Sequence, residues 1–416
     1  MDKSANRNKW IVIGTCFMLG FICLGFCSSN KGMYLGAITE ALHIDRSLFS
    51  LSDSIRYCVS AVMNLFFGYF LKKLGKKLMI GCGVASLIIS MLLNSVSTSV
   101  WGFYISGAFL GFGLTWCTTT MVSSIVHSWC KENAGTIMGF VLAGNGLGGA
   151  LAAQIISPYI YDEVNPFGYR NAYKIVIILL VIIGVLAVLL IKDPPANGTE
   201  APKPAGKKKK GRRWEGIPYQ TAMQKNYFWF GAVCVFFTGL ILQSITGISP
   251  THMKDVNLEP GFIATCMSVH SVALAGFKFL MGAANDRFGI KVSFGLCNIA
   301  AVIAMLALAL ISTSLLGQVL TVIYSLLSSM ALPLETIMIP LLVADLFGDE
   351  SYDKILGIYM AVNTTGYALG APLANLGFDL MGSYVPVLYV CAIVMAVVLF
   401  AIQYVIRSAH KDQGIA

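Results

Sequence analysis

The chain has 416 residues, a formal net charge of +9, and 56% hydrophobic against only 12% charged residues. A water-soluble domain carries about 25% charged residues, so this composition and a mean hydropathy of +0.74 exclude a protein that lives mainly in water. The positive charge does not point to nucleic acid, because the basic residues gather in short segments between long apolar runs.

Twelve such runs follow one another, at 10–41, 49–71, 78–97, 101–126, 134–158, 172–191, 226–250, 260–284, 292–312, 315–345, 354–376 and 384–406. Each reaches the ~20 residues that a bilayer-spanning helix needs. They predict an all-α polytopic membrane protein. The first run leads straight on to Lys31 and Tyr34 without a small-residue cleavage site, so it reads as a span and not as a signal peptide. Trp10, Trp101, Trp129 and Trp229 fall at span ends, where amphipathic rings favour the membrane–water boundary.

Residues 192–225 divide the spans six and six. This segment contains Pro202, Pro204 and the run Lys207–Lys210 and has few apolar residues, so it reads as a flexible linker. Its basic run either fixes topology or touches anionic lipid. The expected organisation is a six-helix bundle over 1–191, the linker 192–225, and a second six-helix bundle over 226–416. The stretch 217–230 reads as a short interfacial helix entering the seventh span.

Orientation follows from the basic residues. With the N-terminus in the cytoplasm, the outer loops hold only Arg46, Arg170, Lys174 and Lys254 of the 29 lysines and arginines. Three more lie inside spans, and the rest fall on the inner side, as the positive-inside rule requires. Both termini are therefore expected in the cytoplasm, with the protein in the cytoplasmic membrane. The 11 cysteines lie within apolar runs or at a span end and form no C-x-x-C pair, so they read as small packing residues.

The three basic residues inside spans are Lys31, Arg56 and Lys278. An ammonium at a helix centre costs about 2.5–3.5 kcal/mol on insertion scales, so each calls for a use. Lys31 and Lys278 read as anion-binding cations, with snorkelling as the alternative for Lys278. Arg56 either pairs with Asp53 at i−3 or serves a gate or the substrate. Tyr34, Thr119 and Asn363 are further candidate substrate contacts. Glu335, the deepest acid, balances a buried cation or carries a proton. His270 is a proton relay or, more simply, a hydrogen-bonded packing residue. Asp345, near a span end, is expected to face water. The glycines between 139 and 149 read as a surface on which the fifth span packs closely. Proline at 250, 333, 340 and 372 marks expected kinks.

One loop carries a signature, Gly282-x-x-x-Asp286-Arg287-x-Gly289-x-Lys291, and a degenerate copy begins at Gly68 and reaches Gly75. The copies stand 214 positions apart, with Lys72 at the acidic position of the first. A tight turn between spans, with an acid placed to cap or pair, reads as a conformational latch. The two loops resemble those of the major facilitator superfamily. Ser29-Asn30-Lys31-Gly32, Ala143–Gly148, the basic residue four before Gly282, and Leu334-Glu335-Thr336 are similar to its monocarboxylate transporter and oxalate–formate antiporter branches.

The resemblance implies twelve transmembrane helices in two bundles, alternating access, and a small carboxylate as substrate. It also implies that the carboxylate meets Lys31 from one half and Lys278 from the other. Three positions depart from the branches. Lys278 stands where the monocarboxylate branch often has arginine, and lysine offers a point charge in place of a bidentate fork. Leu274 stands where the monocarboxylate branch places an acid, and Asn363-Thr364-Thr365 occupy the region where the oxalate branch carries a lysine. The expectation is a secondary transporter of a monocarboxylate, with or without a proton. The alternatives are a dicarboxylate or carboxylate exchanger and a membrane receptor that binds a carboxylate without moving it. No nucleophile–base set, metal cluster or cofactor loop marks an enzyme, so neither cofactor nor metal is expected. The other expected partner is the lipid bilayer, with the chain functional as a monomer.

Overall fold

The computed structural model describes residues 3–130, 133–160, 165–193 and 216–414. Lys131 and most of the expected linker, including Lys207–Lys210, lie outside the described residues. The chain forms two compact units, Met1–Gly216 and Ile217–Ala416. Helices cover every predicted span, and ten of the helical stretches among the described residues are long and apolar enough to cross a membrane. The second and eleventh spans are more polar, with Asp53 and Arg56 in one and Asn363, Thr364 and Thr365 in the other.

In the first unit, α1 (Lys3–Leu19) passes into a π-helical stretch (Gly20–Phe26), and α2 (Lys31–Leu42) follows a short turn. The first span is therefore broken where the sequence reading expected one continuous helix. Glycine, serine and asparagine between 25 and 32 favour turns over helix interiors. Asn30 fixes the break by donating to the carbonyls of Gly25 at 3.3 Å and Gly149 at 3.0 Å. Lys31 thus begins a helix and is not the middle of one. The second and third spans are α3 (Arg46–Leu65) and α4 (Phe67–Val96), the latter bent open at Gly75.

The fourth span is likewise divided. α5 (Val100–Cys117) ends at Thr118, whose non-helical backbone (φ −121, ψ −130) separates it from α6 (Thr119–Trp129). The Thr118 hydroxyl donates back to the Leu114 carbonyl at 2.6 Å, the local competition that makes threonine a poor helix-interior residue. α7 (Ala134–Ile160) and α8 (Tyr169–Leu190) complete the unit. The glycine-rich face of α7 packs on the first span: a side chain at Gly148 would collide with the Phe21 carbonyl.

The second unit opens with the short α9 (Tyr219–Gln224), within the stretch where a short helix was expected, and runs on into α10 (Asn226–Asp255). α11 (Pro260–Phe288), α12 (Ile290–Ala309) and α13 (Leu315–Ala331) follow. The tenth span breaks after Pro333 into a second π-helical stretch, Leu334–Met338, before α14 (Ile339–Phe347). α15 (Tyr352–Met381) packs along α10, and α16 (Val385–Asp412) closes the unit. All 11 cysteines are free and most are buried, in keeping with packing roles. Trp10, Trp101 and Trp229 are exposed.

The duplicated loop has the same backbone twice. Gly75 takes φ 74, ψ 164 and Gly289 takes φ 82, ψ 168, each ending one helix and starting the next. Only glycine adopts this region without strain. Open space surrounds both positions, so a methyl group there is opposed by the backbone and not by neighbours. Gly75→Ala and Gly289→Ala should each lower stability by about 1–3 kcal/mol. Thermal melts of the purified variants check this, and an unchanged melt at either position would show that the turn relaxes freely.

Candidate functional site

Each unit carries its own charged cluster, half-buried in the first and buried in the second, and each is built from a helix break. In the first unit, the turn before α2 delivers Lys31 to the side of α3. Its ammonium lies 2.8 Å from Asp53 Oδ1 and donates to Ser52 Oγ at 2.9 Å. One turn further along α3, Arg56 Nε lies 3.2 Å from the same carboxylate oxygen. The other end of the guanidinium donates to Ser28 Oγ at 2.7 Å, and the group lies 4.3 Å from the centre of the Tyr57 ring. Asp53 is therefore shared by two cations, and the trio keeps one positive charge in excess. Arg56 does pair with Asp53, but the carboxylate serves Lys31 as well.

Beside this trio, Tyr34 stacks on Tyr173 with ring centres 4.2 Å apart. Both rings and Lys31 line a cavity of about 20 Å³ together with Ser52, Asn94 and Ser106, room enough for a water molecule. The Tyr34 hydroxyl is buried without a hydrogen-bond partner among the described residues. Thr119 starts α6 away from this lining and is half-buried. Its neighbour Thr120 donates to Asn64 at 2.7 Å.

In the second unit, α11 is an exposed helix with few buried positions, and Lys278 is one of them at 4% exposure. Its ammonium therefore does not reach out to the surface, as snorkelling would require. Glu335, 5% exposed, sits in the π-helical stretch after Pro333 and interacts electrostatically with Lys278. Tyr367 from α15 donates a hydrogen bond to Glu335, while Glu335 Oε1 has no hydrogen-bond partner among the described residues.

Several expected contacts fall elsewhere. His270 Nδ1 lies 2.9 Å from Ser328 Oγ and 3.2 Å from the Ser325 carbonyl, which ties α11 to α13 as a packing histidine. Asn363 is fully buried and donates to the Val235 carbonyl at 3.1 Å, where α15 crosses α10. Asp345 is not free in water: its carboxylate lies 2.7 Å from His410 Nε2 and fastens the end of α14 to α16. Gly282 is buried, and Asp286, Arg287, Gly289 and Lys291 follow at the junction of α11 and α12. Gly68 lies one residue into α4, on the approach to the matching turn at Gly75. Sequence reasoning missed the Lys31–Asp53 pair, Ser28, Tyr173 and Tyr367. Only Asp53, at i−3 from a buried arginine, left a trace in the sequence.

Among the described residues no group of three or more histidines, cysteines or acids is placed to hold a metal ion. Comparison with known proteins gives a consistent result. The family model described as Major Facilitator Superfamily matches residues 17–254 and 231–414. An uncharacterised MFS-type transporter, YcxA of Bacillus subtilis (strain 168), is 23% identical over 405 residues, covering 94% of this chain and 93% of its own. The sialic acid transporter NanX of Escherichia coli (strain K12) is 22% identical over 72% of this chain and 71% of its own. Among solved structures, the transporter FucP superposes with a TM-score of 0.69 at 16% identity, covering 97% of this chain and 99% of its own. The proton:xylose symporter XylE gives 0.71 at 13% identity, covering 96% and 95%.

Proposed function

The chain belongs to the major facilitator superfamily and is a multi-pass membrane transporter; from that premise we propose that its cargo is a small organic anion, in the first place a monocarboxylate. The observation that carries this reading is the trio in the first unit. Lys31 and Arg56 share the single carboxylate of Asp53, and a positive charge in excess in this half-buried setting attracts an anion of one negative charge. A cationic cargo would be repelled. The named cargo of one relative, sialic acid, is itself a carboxylic acid.

The pair in the second unit supplies a way to couple a proton. Lys278 and Glu335 neutralise each other while Glu335 is ionised. Protonation of Glu335 releases the ammonium, and a carboxylate then takes its place beside Lys278. Proton and anion enter together, so the net charge of the site is the same before and after. Binding that favours one conformation over the other is what lets a ligand drive the exchange between access states. Uptake of a radiolabelled monocarboxylate such as lactate into proteoliposomes, with and without an inward proton gradient, tests both parts. Uptake that ignores the gradient would remove the proton. Calorimetric binding without any uptake would make the chain a receptor.

Orientation is proposed from the basic residues, with both termini on the cytoplasmic side. In a background without reactive cysteines, an impermeant thiol reagent applied to intact cells should label Thr313→Cys and leave Glu350→Cys untouched. The reverse pattern would invert the protein in the membrane.

A further inference from the structure

On the outer face of the second unit, α12 and α16 part to leave a groove of about 490 Å³. Its walls are apolar: Val292, Leu296 and Ile299 come from one helix, Phe400 and Tyr404 from the other, and all are exposed. At one end the character changes. Lys291 and Arg407 line the same groove, and both are exposed. From Lys291 to Ile299 is eight residues of helix, or about 12 Å. The groove therefore begins with two cations and continues along hydrocarbon-lined walls.

We infer that this groove binds one anionic phospholipid, with its phosphate between Lys291 and Arg407 and an acyl chain along the apolar walls. Three observations lead there. Two positive charges at the boundary of a membrane helix pair favour an anionic headgroup over a zwitterionic one. The N-terminus of α12 lies at the same end, with Gly289 preceding its first turn, and a helix N-terminus adds partial positive charge. The groove is also held in a fixed shape, since Gln403 of α16 donates to the Lys291 carbonyl at 2.8 Å and so ties the helices together beneath the headgroup position.

Two acids of this unit are engaged elsewhere. Asp345 is held by His410 and Asp412 by Lys225, at 2.7 Å in each case. A bilayer lipid is the occupant of choice because both walls belong to helices long and apolar enough to cross a membrane. The inference rests on the membrane setting alone and not on the identity of the cargo.

Native mass spectrometry of the full-length protein, titrated with dioleoyl phosphatidylglycerol or dioleoyl phosphatidylcholine, tests it without any transport substrate. One phosphatidylglycerol should be retained in preference to phosphatidylcholine. Lys291→Gln/Arg407→Gln should weaken phosphatidylglycerol binding roughly 30-fold, down to the level of phosphatidylcholine. Ile299→Trp, which fills the groove and leaves both charges in place, should weaken it as well. Glycerol phosphate at millimolar concentration should not displace the lipid, because it lacks the chain. Equal retention of the two lipids, or wild-type binding in the double variant, would overturn the inference. So would a change from dimer to monomer in these variants, which would make the groove a protein interface.

Discussion

Lys278→Gln should nearly abolish uptake of a monocarboxylate at concentrations below saturation. The glutamine removes the charge that the cargo would meet, and losing a charge-assisted hydrogen bond costs about 1.5–3 kcal/mol, or roughly 10- to 150-fold in affinity. A second effect comes with it. Glu335 is 5% exposed, and removing its counter-charge leaves a buried carboxylate alone. Breaking a buried pair in this way costs about 3–5 kcal/mol, so the variant should melt earlier. Lys278→Gln/Glu335→Gln separates the two effects: it should regain stability and remain unable to take up the anion. Lys278→Arg should retain part of the activity, since it keeps the charge but changes its shape. Calorimetric affinity, proteoliposome uptake and a thermal melt on each variant are the measurements. Normal affinity in Lys278→Gln would remove Lys278 from the binding site.

Asp53→Asn should have the next largest effect, and in the opposite sense for the anion. Lys31 and Arg56 would face each other without their shared carboxylate. The loss should be about 1–3 kcal/mol, between the values for exposed and buried pairs, because the Asp53 side chain is 36% exposed. An external anion then becomes the missing counter-charge. Adding lactate should raise the melting temperature of Asp53→Asn more than that of the native protein, by the linkage that lets a ligand stabilise the state it binds. Turnover should fall, because an anion held too tightly is released slowly. Equal stabilisation of both proteins would show that Asp53 does not compete with the cargo.

The spans were legible because a bilayer imposes one requirement, length of apolar helix, that composition records directly. The two turns were legible for a related reason. The backbone at Gly75 and Gly289 admits essentially glycine, so the geometry writes itself into the sequence. The breaks at Asn30, Thr118 and Pro333 were harder to see. Hydropathy does not register a polar break flanked by apolar residues, and only Pro333 announced itself. Long-range pairs were the least legible. Nothing near Asp345 points to His410, 65 residues away. Lys31 and Asp53 meet only because the chain turns at Cys27–Asn30 and returns in α3. Asn363 shows the same limit: a polar residue in a membrane helix suggested ligand contact, and nothing in the sequence indicated that its amide nitrogen donates to the Val235 carbonyl on the neighbouring helix.

The π-helical stretch Leu334–Met338 fixes more than the place of Glu335. A π turn amounts to one extra residue in an α-helix, and one residue is about 100° of rotation at 3.6 residues per turn. Everything beyond it is turned by that angle relative to α13, as if a dislocation had been set into the rod. α14 therefore presents Asp345 to His410 in a phase that an unbroken helix through Pro333 would not give it. The span is in effect two cogs on one shaft, offset by a tooth. Were the extra residue to slip along the shaft, each residue it passed would turn by that angle while the two ends kept their offset and the helix its length. Such a slide would swing Glu335 itself to another face of the span without disturbing the helix ends.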